Sequence, residues 1–364
     1  MQFKSTLIAL ATLIVCSNSL YAQELKPGFE KNEYIKLLEA SSRFADSSYY
    51  KDIPFPEGYQ FIYQSPEMGL DNRWSLWLAN KQTAVISLRG TTEKSESWLA
   101  NFYAAMVPAS GSLHISDSFI FDYDLATDPK AAVHVGWLLS TAFLAKDILP
   151  KLDSCYSAGI KNFLISGHSQ GGAISYLLTA YLYNLQQQGK IPTDIRFKTY
   201  CSAAPKPGNV YFAYQYEAMT QNGWSFNVVN SADWVPEVPF TVQTLCDLNT
   251  TNPFINAGEL IKKQGFPKSW VISYIYNKLS NPSIRAQKNY QKYLGNFSSK
   301  MVQKYLPGYQ PPAFYCSSDY VRTGTTIVLL ADAEYFKKFP DNPETIFVHH
   351  LHKPYLFLAE KLKD

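Results

Sequence analysis

Net charge is scarce in this chain: 33 Lys and Arg against 30 Asp and Glu leave only +3 over 364 residues. So even a balance excludes a protein whose affinity comes from neutralising phosphates, and nucleic acid is not an expected partner. Cysteine is sparse, five residues in all. Neither Cys-x-x-Cys nor His-Glu-x-x-His occurs, so the short zinc signatures are missing and no metal or other cofactor is expected. No apolar run approaches the ~20 residues that span a bilayer, so no transmembrane span is expected. Internal repeats, low-complexity tracts and a collagen-like glycine period are also missing, which excludes repeat and fibrous architectures.

What is present can build a core. Apolar residues make up 46%, aromatics 15% and charged residues 17%, which excludes a disordered or coiled-coil chain. The length suits one large domain, with or without an insertion, or two. The first 22 residues read as an export signal: Lys4 is the positive start, Leu7 to Val15 the apolar stretch, and Leu20-Tyr21-Ala22 the cleavage site. The mature chain then begins at Gln23 and is exported, secreted or periplasmic. Cys16 is lost with the signal. Of the other four cysteines, Cys155 and Cys201 sit in helical and strand-like runs and read as small core residues. Cys246 and Cys316 bracket one long segment and form the candidate disulfide, worth up to roughly 4 kcal/mol if closed.

Apolar spacing predicts an amphipathic helix over 30–49. Short β-branched and aromatic runs predict strands at 59–64, 73–79 and 83–88. A helix is expected over 131–149. Phe163-Leu164-Ile165-Ser166 lacks polar alternation, as a strand buried on both faces of a parallel sheet does. The helix 171–188 follows at once, and further strands are expected at 195–202, 225–229 and 325–330. Strand and helix in alternation imply an open α/β sheet. The Tyr- and Lys-containing block between Pro239 and Gly324, helical over 257–279 and 289–305, belongs to no strand-helix unit and reads as an insertion of about 240–323.

Gly167-His168-Ser169-Gln170-Gly171 stands between the buried-strand pattern and the following helix. That context is the strand-to-helix elbow that lifts a serine above a parallel sheet. A serine hydroxyl is a poor nucleophile on its own and needs a base with a carboxylate to orient it. Only His349, His350 and His352 follow Ser169, and Asp233 lies in the loop after a predicted strand. Nucleophile, acid and base are therefore available in the chain order that this fold requires.

Five motifs together resemble the class 3 lipases, the fungal-type triacylglycerol lipase branch of the α/β-hydrolases. They are Leu88-Arg89-Gly90-Thr91 with Trp98 downstream, His134-Val135-Gly136-Trp137, Gly167-His168-Ser169-Gln170-Gly171-Gly172, Ala204-Pro205-Lys206-Pro207-Gly208-Asn209, and Asn230 to Pro239. The resemblance implies an α/β-hydrolase fold over 23–364: a mostly parallel central sheet with helices on both faces and the helical insertion before the last strand. It implies Ser169 as nucleophile, Asp233 as orienting acid, and Thr91 and Gln170 as the oxyanion hole. Counting back from Tyr355 favours His350 as base, with His349 the runner-up and His352 in the last helix. His134 and His168 read as structural. Gln170 stands where the family has Leu, a change expected beside the acyl pocket.

The implied activity is carboxylic-ester hydrolysis, acylglycerols first, with a lipid or ester substrate and a transient lipid-surface contact. A phospholipid, or an acetyl or feruloyl ester on polysaccharide, would suit the same triad. A non-catalytic protein holding lipid or sugar on its many aromatics is the reading from another class. The family's cover over the site maps to 98–108, with Trp98, Leu99, Phe102, Tyr103, Ala105 and Met106 as an apolar helix face. The insertion is the second candidate cover.

Overall fold

The structure is a computed structural model that describes residues 25–254 and 256–363. The export-signal residues of the sequence reading lie outside these. Helix α1 (Lys31–Ser41) ends in a 3-10 turn (Ser42–Phe44), followed by a single turn, α2 (Ser47–Tyr50). The helix expected to reach residue 49 breaks where Ser41 and Ser42 turn their hydroxyls onto the carbonyls of Leu38 and Glu39. Such local bonds are how serine competes with a helix. Strands β1 (Gln60–Gln64), β2 (Trp74–Asn80) and β3 (Thr83–Leu88) lie where they are expected.

After α3 (Ser95–Phe102) come four strands that sequence reasoning missed: β4 (Met106–Pro108), β5 (Ser110–Ser116), β6 (Phe119–Asp124) and β7 (Ala132–His134). They pair antiparallel, β4 with β7 and β5 with β6. Because Ala132–His134 joins β4, the helix expected from 131 starts later, as α4 (Val135–Ser157). Strand β8 (Asn162–His168), α5 (Gln170–Gln187), β9 (Arg196–Ser202), α6 (Val210–Met219) and β10 (Ser225–Asn230) then alternate. The insertion contributes α7 (Ala257–Lys262) and α8 (Lys268–Asn289), which runs through a π-helical stretch (Tyr290–Phe297) into α9 (Ser298–Tyr305). Strand β11 (Thr325–Leu329), α10 (Ala333–Lys338) and α11 (His352–Glu360) complete the chain.

Seven strands form the main sheet in the order β1-β2-β3-β8-β9-β10-β11. The first three are antiparallel and every pair from β3 to β11 is parallel. Period two along the strands divides the core. Ile86, Phe163, Ile165, Phe197 and Cys201 point to the face covered by α4 and α5. Val85, Leu164, Tyr200 and Val228 point to the face covered by α1 and α11. A strand that feeds two cores has no polar side, which is why β8 reads as an unbroken apolar run. This is the α/β-hydrolase fold. Cys155 and Cys201 are buried, and the sulfurs of Cys246 and Cys316 come within 3.5 Å of each other across the insertion.

Candidate active site

Ser169 is the single residue between the end of β8 and the start of α5, at φ 62° and ψ −130°. A side-chain-bearing residue there stores on the order of 1–3 kcal/mol of strain. Its neighbours hold it in place: the Ser169 N–H donates to the Ser202 carbonyl at 2.9 Å. The flanking glycines are required by close approach. A Cβ on Gly167 would fall 2.2 Å from the Gly171 backbone, and one on Gly171 would fall 2.3 Å from the Leu88 carbonyl oxygen. The elbow is thus wedged against the end of β3, so Arg89 to Thr92 lie beside it.

Asp233 is buried in the loop after β10, and its carboxylate accepts three bonds. His350 Nδ1 lies 2.7 Å from Oδ2, the Tyr355 hydroxyl donates to the same oxygen at 2.8 Å, and the Val235 N–H donates to Oδ1 at 3.0 Å. Three donors satisfy a buried charge that would otherwise be costly. With the proton of a neutral ring on Nδ1, Nε2 of His350 is left with a lone pair. Among the described residues that nitrogen is buried without a hydrogen-bond partner. Sequence reasoning used Tyr355 only to count from; its bond to Asp233 depends on α11 packing beneath the loop.

His349 has both nitrogens engaged elsewhere, Nδ1 with the Tyr335 hydroxyl at 2.8 Å and Nε2 with Asp341 at 2.9 Å. His352 opens α11, bonds Tyr49 and Ser41, and stacks 4.4 Å from His168. Burial, and then the neighbouring His350, push its pKa down to about 3. His168 donates from Nε2 to the His350 carbonyl at 2.6 Å and accepts at Nδ1 from Ser202 at 3.0 Å. Burial first, then the His352 and His350 rings, hold its pKa well below the usual histidine range. His168 therefore fixes the backbone that carries His350.

Thr91 accepts at Oγ1 from Asn101 Nδ2 at 2.9 Å, a partner that sequence reasoning missed. Asn101 is held in turn by Trp137 Nε1, which donates to its Oδ1 at 3.0 Å, and by His134 Nε2, which bonds its carbonyl at 3.1 Å. His134 also caps α4, accepting from the Trp137 N–H at 3.3 Å, and burial pushes its pKa down to about 3. The loop is braced from below as well, since Arg89 pairs with Asp71 at 3.0 Å and the Thr92 hydroxyl donates to Asp71 at 2.5 Å. The side chain of Gln170 gains a partner that sequence reasoning did not name: its buried amide donates to the Ser97 carbonyl at 3.2 Å, tying the elbow to α3. The Gln170 N–H opens α5, at the end of a helix where no preceding carbonyl can pair it.

The expected cover over 98–108 divides. Only 95–102 is helical, and Tyr103, Ala105 and Met106 are buried, Met106 within β4. Phe102 alone among the named residues is strongly exposed, at 56%. Trp98 stacks on it at 6.1 Å and lies 6.2 Å from Phe347, which is 5.4 Å from Trp234 and 5.9 Å from His350. An aromatic rim therefore runs from α3 to the histidine.

A buried His-Asp pair beside a strained serine elbow, on this sheet, belongs to a serine ester hydrolase. Residues 85–243 match the family model described as Lipase (class 3), and over that segment the chain carries the class 3 lipase pattern that its motifs imply. No curated protein matches. Among solved structures, a fungal lipase–inhibitor complex described as a model for interfacial activation is 20% identical, covering 59% of this chain and 77% of that one at a TM-score of 0.43. The Rhizomucor miehei lipase propeptide complex is 21% identical over 59% of this chain and 65% of its own, at 0.42. The lipase from Rhizopus microsporus var. chinensis is 19% identical over 62% and 76%, at 0.40.

Proposed function

We propose that the chain cleaves esters of long acyl chains, acylglycerols foremost, through an acyl-enzyme on Ser169. The observation that carries this reading is the 2.7 Å bond from His350 to the buried Asp233, with the other ring nitrogen left unpaired. Nε2 takes the proton as Oγ of Ser169 attacks the ester carbonyl, and Asp233 stabilises the imidazolium that forms. The oxyanion meets the Gln170 and Thr91 N–H groups and the Thr91 hydroxyl. Because Oγ1 of Thr91 accepts from Asn101, its own hydrogen is left to donate. His350 then passes the proton to the leaving alcohol and later draws one from the water that frees the acid. The rim of Trp98, Phe102, Trp234 and Phe347 supports an apolar acyl group over a sugar ester.

We also propose that the chain is exported, on the strength of Lys4 and the apolar stretch after it; among the described residues no helix is long and apolar enough to cross a membrane. The test of the activity is Ser169→Ala with p-nitrophenyl acetate and palmitate. Turnover of both should fall by at least about 10³-fold, with the thermal melt unchanged or raised. Near-native turnover would remove Ser169 from the mechanism. A wild-type preference for acetate would remove the long-chain assignment while leaving the hydrolase.

A further inference from the structure

From Leu260 to Ser318 the chain contains no Asp or Glu and nine Lys or Arg. Since the whole chain carries only +3, everything outside this stretch sums to −6. The near-neutral total conceals a strongly polar distribution of charge, with one basic end built from the insertion.

The same stretch leaves its large apolar side chains in water. Of the 22 residues of α8 only Gln287 is buried. Trp270 is 66% exposed, Ile275 52% and Leu279 71%, and Phe266 just before the helix is 89% exposed. Trp270 and Tyr274 stack one turn apart at 6.2 Å, and the Lys278 ammonium lies 5.4 Å over the Tyr274 ring, so cations and apolar groups share one surface. Scattered exposed apolar residues need no explanation, but at about 100° per residue Trp270, Tyr274, Val271, Ile275, Leu279 and Ile272, all exposed, fill one continuous half of α8, and a contiguous set does.

We propose that α7, α8 and the loop between them form a docking surface for an anionic phospholipid bilayer. Trp270, Ile275, Leu279 and Phe266 would enter the boundary between headgroups and acyl chains, while Lys262, Lys263, Lys268 and Lys278 face the acidic headgroups. Tryptophan and leucine beside lysine is the composition of helices that lie in a membrane interface. Charge selects among the occupants. A second copy of this chain would set the six cations of α7, α8 and their loop (Lys262, Lys263, Lys268, Lys278, Arg285 and Lys288) against six, with Glu259 the one acid on each face to pair them. A bilayer of acidic lipid answers both the cations and the apolar groups, and the −6 of the remaining chain turns this end toward it.

The docking element is built onto the candidate site. Through the π-helical stretch α8 continues into α9, whose Ser298 hydroxyl donates to the Phe102 carbonyl at 3.3 Å and whose Tyr305 hydroxyl bonds Ser95 at 2.9 Å. Both partners lie on α3, which carries Asn101. The inference does not rest on the proposed hydrolysis, because docking requires no turnover.

The experiment is vesicle flotation of the Ser169→Ala chain, which consumes no lipid. Retention should be at least about tenfold higher on phosphatidylglycerol mixed into phosphatidylcholine than on phosphatidylcholine alone at ~0.1 M salt, and should be lost near ~1 M. Combined Lys262→Glu, Lys263→Glu, Lys268→Glu and Lys278→Glu should lower retention by a similar factor. Trp270→Ser with Leu279→Ser should also lower it, through the apolar contribution. Thermal melts within ~2 °C of the parent show that the variants are folded. Equal retention on the two vesicle types, or full retention by the charge-reversed variant, would overturn the proposal. A dimer in solution that the Trp270→Ser, Leu279→Ser pair dissolves would overturn it too, by assigning the face to a second copy.

Discussion

Asn101 shows how far a motif's purpose can lie from its own residues. An indole N–H can only donate, so Trp137 fixes the amide oxygen of Asn101 toward itself at 3.0 Å and turns the nitrogen onto Thr91. The His134-Val135-Gly136-Trp137 motif thus acts on the proposed oxyanion hole at second hand. Removing one such donor costs ~3 kcal/mol of the barrier, so Thr91→Val should lower kcat by about 10²-fold with little change in KM. Asn101→Ala should give a smaller fall in kcat, and none in the Thr91→Val background, because only the hydroxyl transmits its effect. Steady-state kinetics of the two single variants and the double variant check this; independent losses that add would mean that Asn101 acts otherwise. The sequence displays the motif but not this path, since a bond spanning 36 positions exists only once α3 and α4 are packed together. His350 differs in kind: chain order leaves His349, His350 and His352, the family resemblance favours His350 by its spacing to Tyr355 with His349 the runner-up, and the 2.7 Å bond to Asp233 falls on His350.

At the level of elements, strands of the main sheet are legible to within one or two residues because they are short β-branched and aromatic runs bounded by turns, whether buried along their whole length as β8 is or largely exposed as β1 and β11 are. The small strands are not legible. Ser110–Ser116 exposes most of its residues and alternates weakly, and Met106–Pro108 and Ala132–His134 are too short to show a period. That omission misplaces the start of α4 and runs the expected cover helix into a strand. The corrected boundary separates two residues that sequence spacing groups together. Phe102 is 56% exposed on the aromatic rim, whereas Met106 is fully buried in β4. Phe102→Ser should therefore lower turnover of palmitate esters more than of acetate esters and leave the melt nearly unchanged. Met106→Ser should cost about 2–5 kcal/mol of stability, as loss of a buried large side chain does, and should depress both activities only through unfolding. Equal losses of acetate and palmitate turnover in Phe102→Ser would leave α3 as packing alone.

Across the whole molecule, three histidines make the fold sensitive to acid for a reason separate from catalysis. His134 caps α4, His168 ends β8 and His352 opens α11; the first two are buried and His352 is half-buried. Burial lowers the pKa of each, to about 3 for His134 and His352 and well below the usual range for His168. In the unfolded chain such groups titrate near ~6.5. The native state therefore refuses protons that the unfolded state accepts, so the stability these groups contribute is full above about pH 6.5 and falls as the pH drops toward 3. Each histidine costs ~1.4 kcal/mol per pH unit in that window, and three together ~4 kcal/mol, against a total stability typically near 5–15 kcal/mol. Between about pH 6 and 5 most carboxylates remain ionised, so the slope there belongs to the histidines. Thermal melts should thus be level above neutrality and fall steeply from about pH 6 to 5. His352→Gln, which leaves a neutral side chain in the same place, should reduce that slope by roughly a third. A melting temperature constant from pH 7 to 5, or an unchanged slope in His352→Gln, would rule out this account. All three histidines brace elements of the candidate site, so acid that unfolds the chain also takes the site apart.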